Sequence, residues 1–195
     1  MFTALLDTCV LVPRHPTRRP PRMRAAAGIY RPVWSQAILD ELAYTLTRLL
    51  TLKGRTRDEV DAYVTRLRNQ MRHAFPDALT TGWDHLLPTI TIPDPDDTHV
   101  VAAALTAGAQ LIVTNDRRGF TTGLPPGLTT QHPDDFLLDA LDLAPTTVLA
   151  TVHAVVARTG RHGPARSPHD IVEHLGKTGT PGFAAAVLER LPRSR

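Results

Sequence analysis

Four acidic residues, each at an end or on the inner face of a predicted element, are the groups that could do chemistry in this sequence. They are Asp7, Glu41, Asp97 and Asp116. Asp7 closes the apolar segment 3–7 and Asp116 follows the apolar segment 110–114, and both segments are typical of buried parallel strands. Open α/β sheets bind ligands beyond the carboxyl ends of their strands, so this position favours a functional role for both acids.

Glu41 and Asp97 belong to predicted helices that would pack on such a sheet. Glu41 borders the apolar face of a helix that begins after Ser35, and Asp97 opens a helix over 97–107. A buried carboxylate without a partner is costly, and no Lys or Arg is evidently placed to pair with these acids. A hard divalent cation, Mg²⁺ or Mn²⁺, would supply the missing charge and prefers carboxylate oxygens. Such an ion can activate water and neutralise the charge that builds on a phosphodiester under attack.

Each acid also has a simpler interpretation. Acidic residues at a helix N-terminus accept hydrogen bonds from free backbone N–H groups, and Asp96 or Asp97 can be explained as such a cap. Any one acid, taken alone, could be a solvated surface residue. The functional interpretation depends on all four acids occurring together at suitable positions of suitable elements.

The composition is that of an ordinary soluble globular protein. The chain has 195 residues, of which 42% are hydrophobic and 21% charged. The one cysteine, Cys9, excludes an internal disulfide and agrees with a reducing compartment. No apolar run approaches the ~20 residues of a membrane span, and the N-terminal segment lacks a basic leader. We therefore expect a cytoplasmic protein without a membrane segment.

The net charge of +3 is unevenly distributed along the chain. Six Arg and one acid give residues 1–31 a charge of +5, and seven basic and three acidic residues give 158–195 a charge of +4. Nine basic and fifteen acidic residues leave 32–157 at −6. An acidic middle between basic flanks suits a metal pocket beside surfaces that attract phosphate. Charge for solubility, with an Arg bias from GC-rich coding, is the alternative.

Helices and strands alternate over most of the chain. Helices are predicted from the N-cap Ser35 to about residue 50, and from the capping box Thr56–Glu59 to about His73. Weak strands near 78–81 and 128–131 accompany the two apolar segments. This alternation predicts a parallel α/β sheet of four or five short strands.

Beyond residue 144 the pattern changes to helices alone. Three helices are predicted with a proline near each start, at Pro145, Pro168 and Pro181. Two of them would end at a glycine C-cap, Gly160 and Gly176. We therefore divide the chain into a domain over 1–143 and a helical extension over 144–195.

The segment between the first strand and Ser35 is rich in proline and arginine. Prolines at positions 13, 16, 20 and 21 are incompatible with a regular helix. We expect an extended or disordered loop there, with one helical turn over 22–27.

Four stretches together carry a family resemblance: LLDTCVL at 5–11, SQAILDEL at 35–42, DDTHVVAAALTAGAQLIVTND at 96–116 and QHPDDFLLDAL at 131–141. They resemble the PIN domain, and within it the VapC-like toxins of bacterial toxin–antitoxin pairs. The likeness covers roughly residues 1–143, and the long third motif is its most specific part. It implies a three-layer α/β/α fold around a short parallel sheet.

By this resemblance the four acids would be catalytic and would hold one or two Mg²⁺ or Mn²⁺ ions. Thr114 would orient the last acid, and Asp96 would cap the helix beside the metal. The family implies metal-dependent RNA cleavage, a cognate antitoxin as partner and frequent homodimers. Arg117 and Arg118 could then hold the RNA backbone, with a solvated loop pair as the equal alternative.

Two departures from the family keep other functions open. The segment 13–24 stands where relatives have an amphipathic helix beside the site, and close relatives often have Asn at the position of Asp116. A catalytically impaired PIN-like RNA-binding or regulatory module is therefore the alternative. A small-molecule phosphohydrolase of the Asp-x-Asp type is disfavoured, because Asp7 is followed by Thr8 and Cys9.

The remaining candidates are interpreted as structural. Nine histidines are scattered along the chain, and this spacing predicts surface residues and not a zinc site. Cys9 is expected to be a small packed residue and not a nucleophile. Trp34 and Trp83 are expected in the core or at its rim.

Overall fold

A computed structural model describes residues 2–12, 28–160 and 164–192 of the chain. The loop expected over 13–24 and the helical turn expected over 22–27 lie outside the described residues. The chain divides into two compact units, the first holding the N-terminal strand and residues 30–131, and the second holding the helices from His132 onward. The helix that follows His132, which the sequence interpretation included in the first domain, therefore groups with the C-terminal helices.

The first unit is built on a five-stranded parallel sheet with helices on both sides. In chain order the strands are β1 (Phe2–Leu6), β2 (Tyr30–Ser35), β3 (Leu79–Thr80), β4 (Leu111–Val113) and β5 (Thr129–Gln131). The spatial order is β3-β2-β1-β4-β5, and Leu6 of β1 pairs with Val113 of β4. This register ends both central strands at the same edge of the sheet, so Asp7 and Thr114 come next to each other.

The helices of the first unit are α1 (Thr8–Leu11), α2 (Gln36–Leu52), α3 (Arg57–Ala74) and α4 (Thr98–Thr106). Both predicted caps are confirmed. Ser35 accepts from the N–H of Ile38, and Thr56 and Glu59 form the reciprocal capping box. Short 3-10 turns cover Asp84–Thr89, Pro95–Asp97 and Arg118–Phe120.

The core lies where α4 and α2 cover the central strands. Leu5, Leu6 and Ile112 of the strands are fully buried, and so is α4 from Val100 to Ala104. The alanines of α4 are small enough for its backbone to lie close to the sheet. This close packing fixes the N-terminus of α4, and with it Asp97, at the carboxyl edge of the strands.

Strand β2 was not predicted, because Pro32 and Arg31 interrupt its apolar pattern. Proline is normally confined to unpaired parts of a sheet, since it has no N–H to donate. β3 pairs with β2 only at Trp34 and Ser35, so β2 has a single neighbour, β1, at Pro32. The proline is therefore compatible with a strand that is central in the sheet order.

The second unit contains four helices: α5 (Pro133–Leu143), α6 (Pro145–Val156), α7 (Pro168–Lys177) and α8 (Pro181–Arg190). The prolines predicted near the helix starts do occupy first turns. The prediction of Gly176 as a C-cap is wrong, because this glycine lies inside α7. A Cβ at Gly176 would lie 2.9 Å from Cβ of Ala184, so its small size permits α7 and α8 to pack closely.

Within the described ranges, no single helix is long and apolar enough to cross a membrane. The bent pair α5–α6 meets that test jointly, by length and composition alone.

Candidate functional site

Asp7 is held at the end of β1 by groups from two other segments. Its side chain is buried, and Oδ2 accepts a hydrogen bond of 2.7 Å from the hydroxyl of Thr114. The thiol of Cys9 lies 3.0 Å from the same oxygen. Thr114 is fully buried directly after β4, and its contact with Asp7 is a direct consequence of the β1–β4 register. The Asp7 carboxylate is therefore fixed in orientation.

Cys9, predicted as a small packed residue, is packed only at its sulfur. The residue is exposed, although its sulfur is enclosed by Asp7, by Thr114 at 3.4 Å and by the N–H of Asn115 at 3.1 Å. Burial raises the pKa of the Cys9 thiol, and the Asp7 charge and hydrogen bond raise it further. A thiol with a raised pKa is a poor nucleophile at neutral pH.

Glu41 projects from the second turn of α2, and both of its carboxylate oxygens have protein partners. The hydroxyl of Thr8 donates to Oε2 over 2.7 Å, and Nε2 of His99 lies 2.8 Å from Oε1. The second contact is at hydrogen-bond distance and becomes an ion pair when His99 is protonated. The contact with His99 lowers the pKa of Glu41 despite its partial burial, with help from Thr8.

His99 was expected to be a surface residue, and this expectation is wrong. Its side chain is only 13% exposed, and its ring lies 6.1 Å from that of Trp83. Burial lowers the pKa of His99, but the contact with Glu41 and the charges of Glu41, Asp97 and Asp7 outweigh burial and raise it overall. Its position two residues after Asp97, in the first turn of α4, is the feature of the sequence that could have indicated a place near the site.

Asp97 lies at the N-terminus of α4, half-buried among other acids. Burial, together with the charges of Asp7, Asp94 and Glu41, raises the pKa of Asp97 from 3.8 to about 6. His99 acts in the opposite direction. The charges of Asp7, Glu41 and Asp94 thus lie near enough to Asp97 to act on it, and a shared functional site of these acids stays a prediction.

The loop after β4 lies directly against Asp97. A Cβ built on Gly119 would be 2.7 Å from Oδ2 of Asp97 and 3.1 Å from Cβ of Asp94. The carbonyl of Gly119 also accepts from the N–H of Asp94, at 3.5 Å. Gly119 was not singled out in the sequence, yet it provides the space in which the Asp97 carboxylate lies.

Asp116 has a different environment from the other three acids. Its side chain is 64% exposed, and Oδ1 accepts from the backbone N–H of Arg118 over 3.0 Å. The N–H of Asp116 in turn donates to the Thr114 hydroxyl, at 3.1 Å. Arg117 and Arg118 are exposed beside it on the same loop. Asp116 is not among the charges that raise the pKa of Asp97.

Asp96 does not cap α4, contrary to the interpretation drawn from the sequence. The capping carboxylate belongs to Asp94, whose Oδ1 accepts from the N–H of Asp96 at 3.0 Å and begins the turn Pro95–Asp97. Asp96 itself is exposed. The turn shifts the start of α4 to Thr98, so that the Asp97 side chain is free of any capping bond.

The donor chemistry of this cluster fits a hard divalent cation. Asp7 is buried and Asp97 half-buried, their charges oppose each other, and Mg²⁺ or Mn²⁺ would relieve that repulsion. Beyond this pair, the acidic side chains do not converge on a common point. In the described part of the chain, no three His, Cys, Asp or Glu side chains are arranged to hold a metal ion. Glu41 is engaged by Thr8 and His99, and Asp116 by its own loop.

Two family models and a curated relative match the chain. A family model described as PIN domain matches residues 3–118, and a second, described as VapC50 C-terminal domain, matches residues 133–189. A protein of Mycobacterium tuberculosis named "Putative ribonuclease VapC50" is 33% identical over 123 residues, which cover 60% of this chain and 70% of that relative. No solved structure was found to match the chain.

Proposed function

The chain belongs to the PIN domain family and carries the VapC50 C-terminal domain, and we propose that it is a Mg²⁺- or Mn²⁺-dependent endoribonuclease, the toxin of a toxin–antitoxin pair. The observation that carries the proposal is the pair Asp7 and Asp97. The two come from distant parts of the chain and are close enough for Asp7 to raise the pKa of Asp97. Its RNA substrate and antitoxin partner are those that the family implies.

Asp7 and Asp97 would hold the cation, with Glu41 and Asp116 contributing charge. When bound, the cation supplies an activated water and neutralises charge on the phosphodiester. Thr114 keeps Oδ2 of Asp7 in one orientation through its 2.7 Å hydrogen bond. Such fixed orientation of donor oxygens before the substrate arrives lowers the reorganisation required during the reaction.

Arg117 and Arg118 would bind the RNA backbone beside the acids. Both are exposed, and the side chain of Arg118 is 95% exposed, 3.8 Å from Asp116. An arginine can present two N–H donors to one phosphate, and the loop places this pair immediately after the strand that ends at the site. In this proposal Asp116 orients the loop through the N–H of Arg118.

A non-catalytic RNA-binding module is the second candidate. It is favoured by the lack, among the described residues, of three side chains in a metal-holding arrangement. Titration with Mn²⁺ separates the two candidates. Saturable Mn²⁺ binding that requires Asp97 supports the nuclease, whereas RNA binding without any measurable Mn²⁺ affinity supports the module.

The direct test is RNA cleavage by the purified full chain with Mg²⁺ or Mn²⁺, against Asp7→Asn and Asp97→Asn. Each substitution removes a negative charge from the site while keeping the side-chain shape, so both should abolish cleavage and leave the fold intact. Asp77→Asn is the matched control, since Asp77 is an exposed acid. Cleavage that persists in Asp97→Asn would refute the assignment.

A further inference from the structure

Glu41 is the one site acid whose two carboxylate oxygens are both taken up by side chains from other elements. Thr8 comes from α1, at the end of β1, and holds Oε2 at 2.7 Å. His99 comes from α4 and lies 2.8 Å from Oε1. The hydroxyl of Thr8 also lies 3.3 Å from the carbonyl of Ile38, one turn earlier in α2. Helices α1, α2 and α4 therefore meet at this one carboxylate.

Such contacts matter because Glu41 would otherwise be free to move. Its side chain is 48% exposed, and a glutamate has several rotatable bonds whose ordering costs conformational entropy. Ordered between two partners, the carboxylate stays close enough to Asp97 to raise its pKa. Without them, the favourable direction for a charged side chain is outward, into water.

We propose that His99 is a positioning residue of this site, which together with Thr8 holds the Glu41 carboxylate beside Asp7 and Asp97. The inference rests on the proposed nuclease function and adds a residue to it. His99 acts through Glu41 and touches neither substrate nor ion.

The placement of His99 is poorly explained by packing alone. Its Nδ1 is buried and has no hydrogen-bond partner among the described residues, which is unfavourable for the fold. An apolar side chain of similar size next to Trp83 would fill the same space without that cost. The contact of Nε2 with Glu41 explains why a histidine stands here, because an apolar residue could not make it.

The role predicts a specific set of variant properties. His99→Ala should weaken Mn²⁺ affinity and lower kcat by roughly 10- to 100-fold, the range typical for loss of a partner that orients a metal-site ligand. The KM for RNA should stay unchanged, because His99 does not contact the substrate. His99→Gln can place an amide N–H near the position of Nε2 and should restore most of the loss. His73→Ala, at an exposed histidine of α3, is the matched control.

The decisive experiment is a double-mutant cycle with Glu41→Gln, in which Mn²⁺ affinity is measured from the EPR signal of free Mn²⁺ alongside kcat. If His99 acts through Glu41, His99→Ala should add no further loss in the Glu41→Gln protein. Losses that multiply would overturn the inference, and so would a His99→Gln protein as impaired as His99→Ala. Asp97→Asn separates a failure of the nuclease proposal from a failure of the positioning role. If Asp97→Asn is inactive while His99→Ala matches wild type in Mn²⁺ affinity and kcat, only the positioning role of His99 is refuted.

Discussion

The hydroxyl of Thr114 donates to Oδ2 of Asp7 over 2.7 Å, joining two residues that are 107 positions apart in the chain. Both follow the last residues of neighbouring parallel strands, where Leu6 pairs with Val113. The contact is therefore fixed by the strand register and not by local sequence. It makes the orientation of the Asp7 carboxylate a property of the sheet itself.

Replacing Thr114 with valine tests this relationship. Valine keeps the shape of the fully buried side chain and removes the hydroxyl that orients Asp7. We expect kcat for RNA cleavage to fall roughly 10- to 100-fold, as for other partners that orient metal-site carboxylates. Thr114→Ser retains the hydroxyl and should keep most of the activity. Equal activity of the valine and serine variants would contradict an orienting role.

The raised pKa of Asp97 predicts how stability depends on pH in the absence of metal. With a pKa of about 6 in the folded chain and 3.8 as its ordinary value, the folded state binds more protons between pH 4 and 6. Asp97 therefore makes the wild-type protein less stable as pH rises through this window, with no further change above it. Taken in full, this pKa shift would lower the free energy of unfolding by about 3 kcal/mol. Because the Asp97 carboxylate is half exposed to solvent, we expect a loss of about 1 kcal/mol.

Asp97→Asn should remove this dependence and be more stable than wild type at pH 7.5. The measurement is urea unfolding in EDTA at a series of pH values, with Asp77→Asn as control. A stability of Asp97→Asn below that of wild type at pH 7.5 would show that the Asp97 charge does not oppose folding.

Gly119 offers a way to move the Asp97 carboxylate without removing it. In Gly119→Ala the new Cβ would lie 2.7 Å from Oδ2 of Asp97, the mobile end of a side chain that can shift. Because the new Cβ would also lie 3.1 Å from Cβ of Asp94, which must shift slightly, stability should fall modestly. Cleavage should fall by up to roughly 100-fold, since small misplacements of reacting groups are costly. Activity at the wild-type level, with the fold retained, would mean that the position of Oδ2 is not critical.

The salt dependence of RNA binding tests the role of Arg117 and Arg118. For a single strand, each phosphate contact contributes about 0.7 to the slope of log affinity against log salt. The Arg117→Ala/Arg118→Ala double variant should lower that slope by up to about 1.4 if each arginine contacts one phosphate. Arg57→Ala, at a side chain that is 93% exposed on α3, is the control. An unchanged slope would leave both arginines as solvated loop residues.

The fold, and the positions of Asp7 and Asp97 at the ends of elements, were accessible from the sequence for identifiable reasons. The apolar segments ending at Asp7 and preceding Asp116 predicted two strands of one parallel sheet, and parallel strands bring their carboxyl ends to one edge. Asp97 followed from its place at the start of a helix rich in small residues. These are regular features of single elements, and the pattern of residues along the chain reports them directly.

The partners of the acids could not be obtained in this way. Whether His99 contacts Glu41 depends on how two helices from distant segments pack, and residue spacing within either helix does not encode that. The exposure of the Asp116 side chain depends on a loop in which the N–H of Arg118 competes for its carboxylate. The capping role moved from Asp96 to Asp94 because a 3-10 turn precedes α4.

The second unit contains a capping interaction that should affect stability independently of the nuclease site. The carboxylate of Asp134, in α5, accepts from the N–H groups of Gly182 and Phe183 in the first turn of α8, at 2.9 and 2.8 Å. Thr180, the N-cap of α8, makes no such bond with its side chain. Asp134→Ala should therefore leave two N–H groups at a helix N-terminus without their acceptor and destabilise the protein by about 1–2 kcal/mol.

Asp134→Asn keeps one acceptor oxygen and should cost about half as much. The comparison is urea unfolding followed by circular dichroism, with the exposed neighbour in Asp135→Ala as control; equal stability of Asp134→Ala and Asp135→Ala would contradict a capping role for Asp134.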